Sequence, residues 1–403
     1  MAQYSRAEAA DRAGVAMGYL DQLIELAIIT PDGDDRLTRG DVRRAQMAQT
    51  LEQAGIKPEE LAAGLRDGHL SLSFMDSSAY ERFATLSDET FEHVSERTGI
   101  PLNLVMLIRE ATGGAMPNPD DQVREDELAV VPFIQLELAM GFRPVSIERQ
   151  LRVLGDGLRR VAETQSDAWR TDLSDRMLAK GMSLTEIGDD PMSDQTVVKH
   201  DRAMDEAVLA IWRARSVRSW SGNIIAGLEK TLADAGLITA LPRPPAICFL
   251  DITGYTRLTH ERGDEAAADL AAGLGRLVHR AATERGGRPI KWLGDGVMVY
   301  FRDPGPGVLA ALEMVEGVSA AGLPPAHVGL HSGPVLFQEG DYFGQTVNVA
   351  ARIAEYARPG EVLVTEEVVD AAADSGARFT EIGSVELKGI SGPVRLHAAY
   401  RAG

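Results

Sequence analysis

Apolar residues recur at helical spacing in several segments of the first 240 residues and in short strand-like runs beyond them, so periodicity alone divides the chain. Ser5 predicts the cap of a helix reaching Ala13, and Gly14-Val15 makes a turn. Leu20, Leu23, Ile24 and Ala27 then form the stripe of a second helix. Leu37-Thr-Arg-Gly-Asp41 opens a third helix ending near Gly55, and Pro58 starts a fourth. The longest stripe runs over 193–235, where Val197, Met204, Val208, Ile211, Ile224 and Leu228 keep helical spacing. Gly236 stops it, and Leu241-Pro-Arg-Pro-Pro245 makes a stiff spacer.

Past the spacer the pattern predicts strands over 246–252, 289–293, 297–301 and 326–332, and helices over 264–284, 306–320 and 347–356. That is the β-α-β-β-α-β order of a ferredoxin-like sheet with additions. Leu293-Gly-Asp-Gly-Val297 is the tight hairpin between the two inner strands. The expected fold class is α+β, an all-helical N-terminal region followed by a sheet domain.

The helical part carries an internal echo about 85 residues apart. Arg12-Ala-Gly14-Val15 matches Arg97-Thr-Gly99-Ile100, and Leu20 and Leu23 match Val105 and Ile108. Gly55-Ile-Lys-Pro58 with Leu61 and Leu65 matches Gly141-Phe-Arg-Pro144 with Ile147 and Leu151, one residue out of step. Two packed lobes follow, with expected domains 1–80, 81–192, a connecting helix and spacer 193–243, and a sheet domain 244–403. The first lobe resembles the winged helix-turn-helix of MerR-type regulators, which read DNA. Residues 1–68 hold 8 basic and 12 acidic side chains, however, so a helix in a DNA groove would meet net repulsion. A protein-contact or sensor role is the expectation. By pattern and position, the second lobe resembles the regulatory domain ahead of the cyclase domain in some actinobacterial adenylyl cyclases, which restrains catalysis and responds to pH.

Composition narrows this further. At 403 residues with a net charge of −19, the chain has room for two or three cores and an electrostatic balance that opposes nucleic acid. Its one cysteine, Cys248 between Ile247 and Phe249, excludes an internal disulfide and suits a core position. No window approaches the roughly 18 apolar residues of a membrane span, since 128–140 is broken by Gln135 and Glu137. The polar N-terminus lacks a secretory segment, and a cytoplasmic location is expected.

The candidate chemistry lies on two strands. Residues 247–256, Ile-Cys-Phe-Leu-Asp-Ile-Thr-Gly-Tyr-Thr, deliver Asp251 to a strand end, and Lys291-Trp-Leu-Gly-Asp295-Gly delivers a second acid. Two carboxylates on strand ends beside glycines suit divalent ions that grip a triphosphate. Alone, Asp251 reads equally as a helix cap and Asp295 as a turn residue. Phe249-Leu-Asp251-Ile-Thr-Gly-Tyr-Thr256, Lys291-Trp-Leu-Gly-Asp295 and Asp341-Tyr-Phe-Gly-Gln-Thr-Val-Asn348-Val-Ala-Ala-Arg352 together resemble the signatures of the class III nucleotidyl cyclases. The likeness runs from about Pro244 to Tyr400.

That resemblance implies that Asp251 and Asp295, with the carbonyl of Ile252, bind two Mg²⁺ or Mn²⁺ ions. It implies phosphate contacts from Thr253, Gly254, Tyr255 and Thr256, with Lys388 touching the terminal phosphates. Lys291 and Asp341 would select adenine by donating to N1 and accepting from the 6-amino group, where guanine presents the opposite pattern. Asn348 and Arg352, four apart on one helix face, would position ribose and stabilise charge on the transferred phosphorus. Since this family draws metal ligands and base-selecting residues from opposite subunits, one chain carrying both sets implies a homodimer with two sites. His331 reads as a packed or surface histidine.

The leading expectation is an adenylyl cyclase making 3′,5′-cyclic AMP and pyrophosphate from ATP, restrained by residues 1–240. A proton acting through His69, His93 or His200, or a small apolar ligand, would be the signal. The alternative is a DNA-binding regulator that uses a cyclase-like domain as a nucleotide-responsive dimerisation module.

Overall fold

The structure, a computed structural model, describes residues 3–76, 84–183, 186–187, 191–238, 244–254, 260 and 263–402. The chain separates into two compact units, Met1–Ile225 and Ala226–Gly403.

The first unit contains the echo seen in the sequence, now as two copies of one strand-helix-helix-strand-helix pattern. In the first copy β1 (Gln3–Tyr4) pairs antiparallel with β2 (Leu37–Thr38) around α1 (Arg6–Ala13) and α2 (Met17–Glu25); α3 (Arg39–Gln53) and α4 (Pro58–Arg66) follow. In the second, β3 (Leu86–Thr90) pairs with β4 (Gln122–Arg124) around α5 (Phe91–Thr98) and α6 (Leu102–Ala111). It continues with α7 (Glu125–Leu128), α8 (Val131–Ala139) and α9 (Pro144–Trp169). Local chemistry repeats with the topology. Ser5 and Thr90 cap α1 and α5, and Gly14 and Gly99 close them at φ 68° and 71°, a conformation that favours glycine. Each copy buries its own core, Leu20, Leu23 and Leu61 in one, Val105, Ile108 and Ile147 in the other.

Each copy also buries one acid at the third position of the helix that follows its second strand. Asp41 accepts the Thr38 N–H at 2.8 Å and an N–H of Arg44 at 2.8 Å. Glu127 accepts the Arg124 N–H at 2.8 Å and the Arg109 guanidinium at 2.7 and 2.8 Å. Arg12 and Arg39 of the first copy both reach Glu125 of the second, at 3.3 and 3.0 Å. α9 passes through a π-helical turn, Arg170–Ser174, into α10 (Asp175–Ala179). α11 (Pro191–Asp234) is the long helix expected over 193–235. Its Ile211, Trp212, Val217 and Trp220 are exposed, so they do not form a buried core stripe. Among the described residues no helix is long and apolar enough to cross a membrane.

The second unit is a seven-stranded sheet flanked by helices on both faces. Its elements are β5 (Ala246–Ile252), α12 (Asp264–Glu284), β6 (Gly287–Leu293), β7 (Gly296–Phe301), α13 (Pro304–Ala320) and β8 (Ala326–Ser332). A small hairpin, β9 (Leu336–Gln338) and β10 (Asp341–Phe343), precedes α14 (Gln345–Tyr356). β11 (Val362–Thr365), α15 (Glu366–Ala371), β12 (Ala377–Val385) and β13 (Val394–Arg401) complete it. The sheet order is β12-β13-β11-β8-β5-β7-β6. The expected βαββαβ core is present, and its additions are the hairpin and the β11–β13 extension.

Alternation along β5 decides which side chain meets which layer. Ala246, Cys248, Leu250 and Ile252 pack with α12 and α13, whereas Ile247 packs with Met298, Tyr342 and Ala350 on the α14 side. By parity Asp251 belongs to the α14 side. That helix sits close: a Cβ on Gly329 of β8 would lie 2.2 Å from the Ala354 nitrogen and 2.6 Å from the Ala350 carbonyl oxygen. Only glycine lets helix and strand backbones approach this far, and the approach fixes where α14 presents its polar face. Cys248 is buried in the core as expected, and burial pushes its thiol up to about 12.

Candidate active site

Asp251 is the penultimate residue of β5, between neighbours β7 and β8. Asp295 lies in the tight connection from β6 to β7, where the strands close as Leu293 opposite Gly296. A Cβ on Gly296 would come within 3.2 Å of Asp251 Oδ1, so this glycine keeps the space beside the carboxylate open. Burial and then the charge of Asp295 push the Asp251 carboxyl above its ordinary value. His327 and the Ile252 N–H, donating at 3.1 Å, pull the other way. A carboxylate whose ionisation is opposed by burial and by a second acid, both offering hard oxygen donors, makes a site a divalent cation would neutralise.

The donor set fits Mg²⁺ or Mn²⁺. Among the described residues there is no cluster of three or more His, Cys, Asp or Glu side chains placed to hold a metal ion. Mg²⁺ does not require one, since it takes one or two carboxylates and completes its shell with water and phosphate oxygens.

His327 is a neighbour that strand patterning missed. It lies on β8 directly opposite Asp251 and is buried, with Nε2 3.8 Å from the Asp251 carboxylate and Nδ1 3.2 Å from Thr253 Oγ1. Its only signal in the sequence is a polar residue at a strand start, and its relation to Asp251 exists across strands. Thr253 is held further by its N–H to the Pro325 carbonyl at 2.9 Å, and Gly254 turns the chain at φ 83°. Tyr255 and Thr256, the other two expected phosphate contacts, lie outside the described residues.

Lys291 on β6 and Asp341 on β10 form an ion pair within this chain. Each keeps spare capacity, since an ammonium has three N–H groups and a carboxylate several lone pairs. Asn348 and Arg352 both lie on α14. Asn348 is exposed, and Arg352 Nη1 donates to Glu355 Oε2 at 2.6 Å, one turn along. Lys388 is exposed in the β12–β13 connection, next to buried Leu387, and no described contact joins it to the acids or to the Lys291–Asp341 pair. His331 is packed, with Nδ1 2.9 Å from Thr365 Oγ1, and burial pushes its pKa down. The structure thus joins the two acids, and separately the lysine to its aspartate, while α14 brings Asn348 and Arg352 to the same side of the sheet.

Comparison with known proteins identifies both parts of the chain. The family model of the adenylate and guanylate cyclase catalytic domain matches residues 244–399, and that of the adenylate cyclase regulatory domain matches 81–199. The chain is 36% identical over 373 residues to an uncharacterized protein of Mycobacterium bovis, covering 89% of this chain and 92% of that one. It is 29% identical over 376 residues to a pH-sensitive adenylate cyclase of Mycobacterium tuberculosis, covering 89% and 88%. An adenylate cyclase of Streptomyces coelicolor is 30% identical over 251 residues, 60% of this chain and 62% of that protein. The chain belongs to the adenylate and guanylate cyclase family. Since its catalytic domain is joined to the adenylate cyclase regulatory domain, it stands within that family as an enzyme of the adenylate cyclase kind.

Proposed function

We propose that the protein converts ATP to 3′,5′-cyclic AMP and pyrophosphate at sites shared by two copies of the chain. The observation that carries this reading is that Asp251, by strand parity, lies on the sheet face that also holds the Lys291–Asp341 pair and α14. Two-fold apposition of that face would set the acids of one copy across from the base-reading pair of the other.

In this reading Asp251, Asp295 and the Ile252 carbonyl hold two Mg²⁺ or Mn²⁺ ions. Bound there, divalent ions would make the ribose 3′-hydroxyl more acidic and offset triphosphate charge. Lys291 donates to adenine N1 and Asp341 accepts from the 6-amino group, which favours ATP over GTP. Asn348 orients the ribose. Its 3′-oxygen attacks the α-phosphorus, losing its proton, as the bond to the β-phosphate oxygen breaks and pyrophosphate leaves. Arg352 opposes the charge that builds on the transferred phosphorus. Amides of the 253–256 turn hold phosphate, and Lys388 reaches its terminal end.

Residues 1–240 act as the control region, made of the helix-turn-helix-like lobe 1–80, the second lobe 81–192 and most of the connector 193–243. They restrain the catalytic pairing until a proton or small ligand favours another arrangement. A signal needs only a differential affinity of about 1.4 kcal/mol to change activity tenfold. Supplying ATP and Mn²⁺ to the full chain and to a 241–403 fragment tests both halves. Cyclic AMP from the fragment, with a lower and differently pH-dependent yield from the full chain, is expected. No product from either overturns the reaction, and superimposable pH profiles overturn the restraint.

A further inference from the structure

The pairing of β6 with β7 contains one irregularity. Arg288 stands opposite Tyr300 and Pro289 opposite Val299, but the next residue opposite Met298 is Lys291, so Ile290 is an extra residue in β6. Residues three apart on a regular strand point to opposite faces. The bulge resets that alternation, and a proline beside it sacrifices no ladder N–H. Because Tyr300 and Met298 are two apart on β7, Arg288 and Lys291 both come to stand over one face.

On that face they meet consecutive residues of β10. Lys291 pairs with Asp341, and Arg288 Nη2 donates to the Tyr342 hydroxyl at 2.5 Å. The Tyr342 ring stacks on Tyr300 with centroids 4.5 Å apart and planes 8° apart, and Phe337 of β9 lies 5.0 Å away. The guanidinium carbon of Arg288 is 5.6, 5.8 and 5.7 Å from the Tyr300, Phe337 and Tyr342 rings, within cation–π range of all three.

Tyr342 is the hairpin's anchor, since its ring also packs among Ile247, Met298 and Ala350. With three residues in each strand the hairpin is far too short to be stable alone, and Tyr342 is the one buried residue of the six. The position of Asp341 beside Lys291 therefore depends on how Tyr342 is gripped.

We propose that Arg288 and Tyr342 are positioning residues for purine choice, a clamp that seats the β9–β10 hairpin so that Asp341 meets Lys291. Neither side chain touches the base. This rests on the reading that Lys291 and Asp341 select adenine.

The test compares kcat/KM for ATP and GTP in the full-length wild type and in Tyr342→Phe, Arg288→Lys and Lys291→Ala, with melting temperatures alongside. Tyr342→Phe keeps the stacked ring and removes only the hydroxyl, so it preserves the fold. The ATP-to-GTP ratio is expected to fall about tenfold in Tyr342→Phe and Arg288→Lys, through a raised KM for ATP and with Mn²⁺ dependence unchanged. Equal losses on both nucleotides, or a lowered melting temperature with the ratio kept, would overturn the clamp. If Lys291→Ala leaves the ratio intact, the base-selection reading itself fails and the clamp with it. If Lys291→Ala shifts the ratio and the clamp variants do not, only the clamp fails.

Discussion

Each unit of this protein half-hides or hides carboxylates, and the two kinds differ in what surrounds them. Glu127 is fully buried and wholly answered, taking a backbone N–H and both arms of Arg109. Asp41 at the matching place in the first lobe is answered in the same way by Thr38 and Arg44. Asp251 has one backbone N–H and a histidine at a distance, and faces another acid. An acid whose lone pairs are filled by its own fold is architecture. An acid set beside a second acid waits for a cation from outside the chain.

The largest effect should come from the unanswered pair. Asp251→Ala or Asp295→Ala is expected to reduce cyclic AMP formation about a thousandfold, roughly 4 kcal/mol at the transition state. Stability should not suffer. The folded Asp251 pKa lies above its unfolded value, so its contribution is favourable at low pH and lost as pH rises through the folded pKa. At neutral pH Asp251→Ala should therefore unfold at the same urea concentration as the wild type or a higher one. A clear loss of stability would move Asp251 into the architectural class.

Glu127→Ala should do the reverse. Removing it strands the Arg109 guanidinium beside the Phe91 ring, and breaking such a buried pair costs about 3 kcal/mol in urea unfolding of the first unit. A loss below about 1 kcal/mol would show that water answers Arg109 and that burial here is not binding.

His327 gives the smallest and most discriminating effect. It touches Thr253 and faces Asp251, so His327→Leu should weaken Mn²⁺ activation about tenfold, as losing an outer partner of a metal ligand does. A Mn²⁺ titration of turnover checks this, and an unchanged half-saturation point would leave His327 a packing residue only.

Much of this is legible in the amino-acid sequence. The continuous apolar run that ends at Asp251 predicted β5 over 246–252, because a strand covered by a helix layer on each face is apolar on both. The lobe duplication was legible because caps and closing glycines are local chemistry that repeats with the chain. The hairpin of β9 and β10 was not, since three-residue strands show no period. Nor was the Ile290 bulge, which exists only in register with β7, or the place of His327, which is set by pairing with Asp251, 76 residues earlier (327 − 251). β11 to β13 read only as additions because their order in the sheet is not their order in the chain. The apolar run of α11 read as a helix but not as an exposed one, since spacing reports a face and not what covers it.

The proposed catalysis requires the acids and the polar face of α14 to serve one site from two chains. Mixing purified Asp251→Ala with Arg352→Ala, each inactive alone, under conditions that let subunits exchange, tests this directly. Each mixed dimer would hold one site with both defects and one with neither, so about a quarter of wild-type cyclic AMP formation should return. A mixture as inactive as its components, with exchange verified by differently tagged chains, would contradict it.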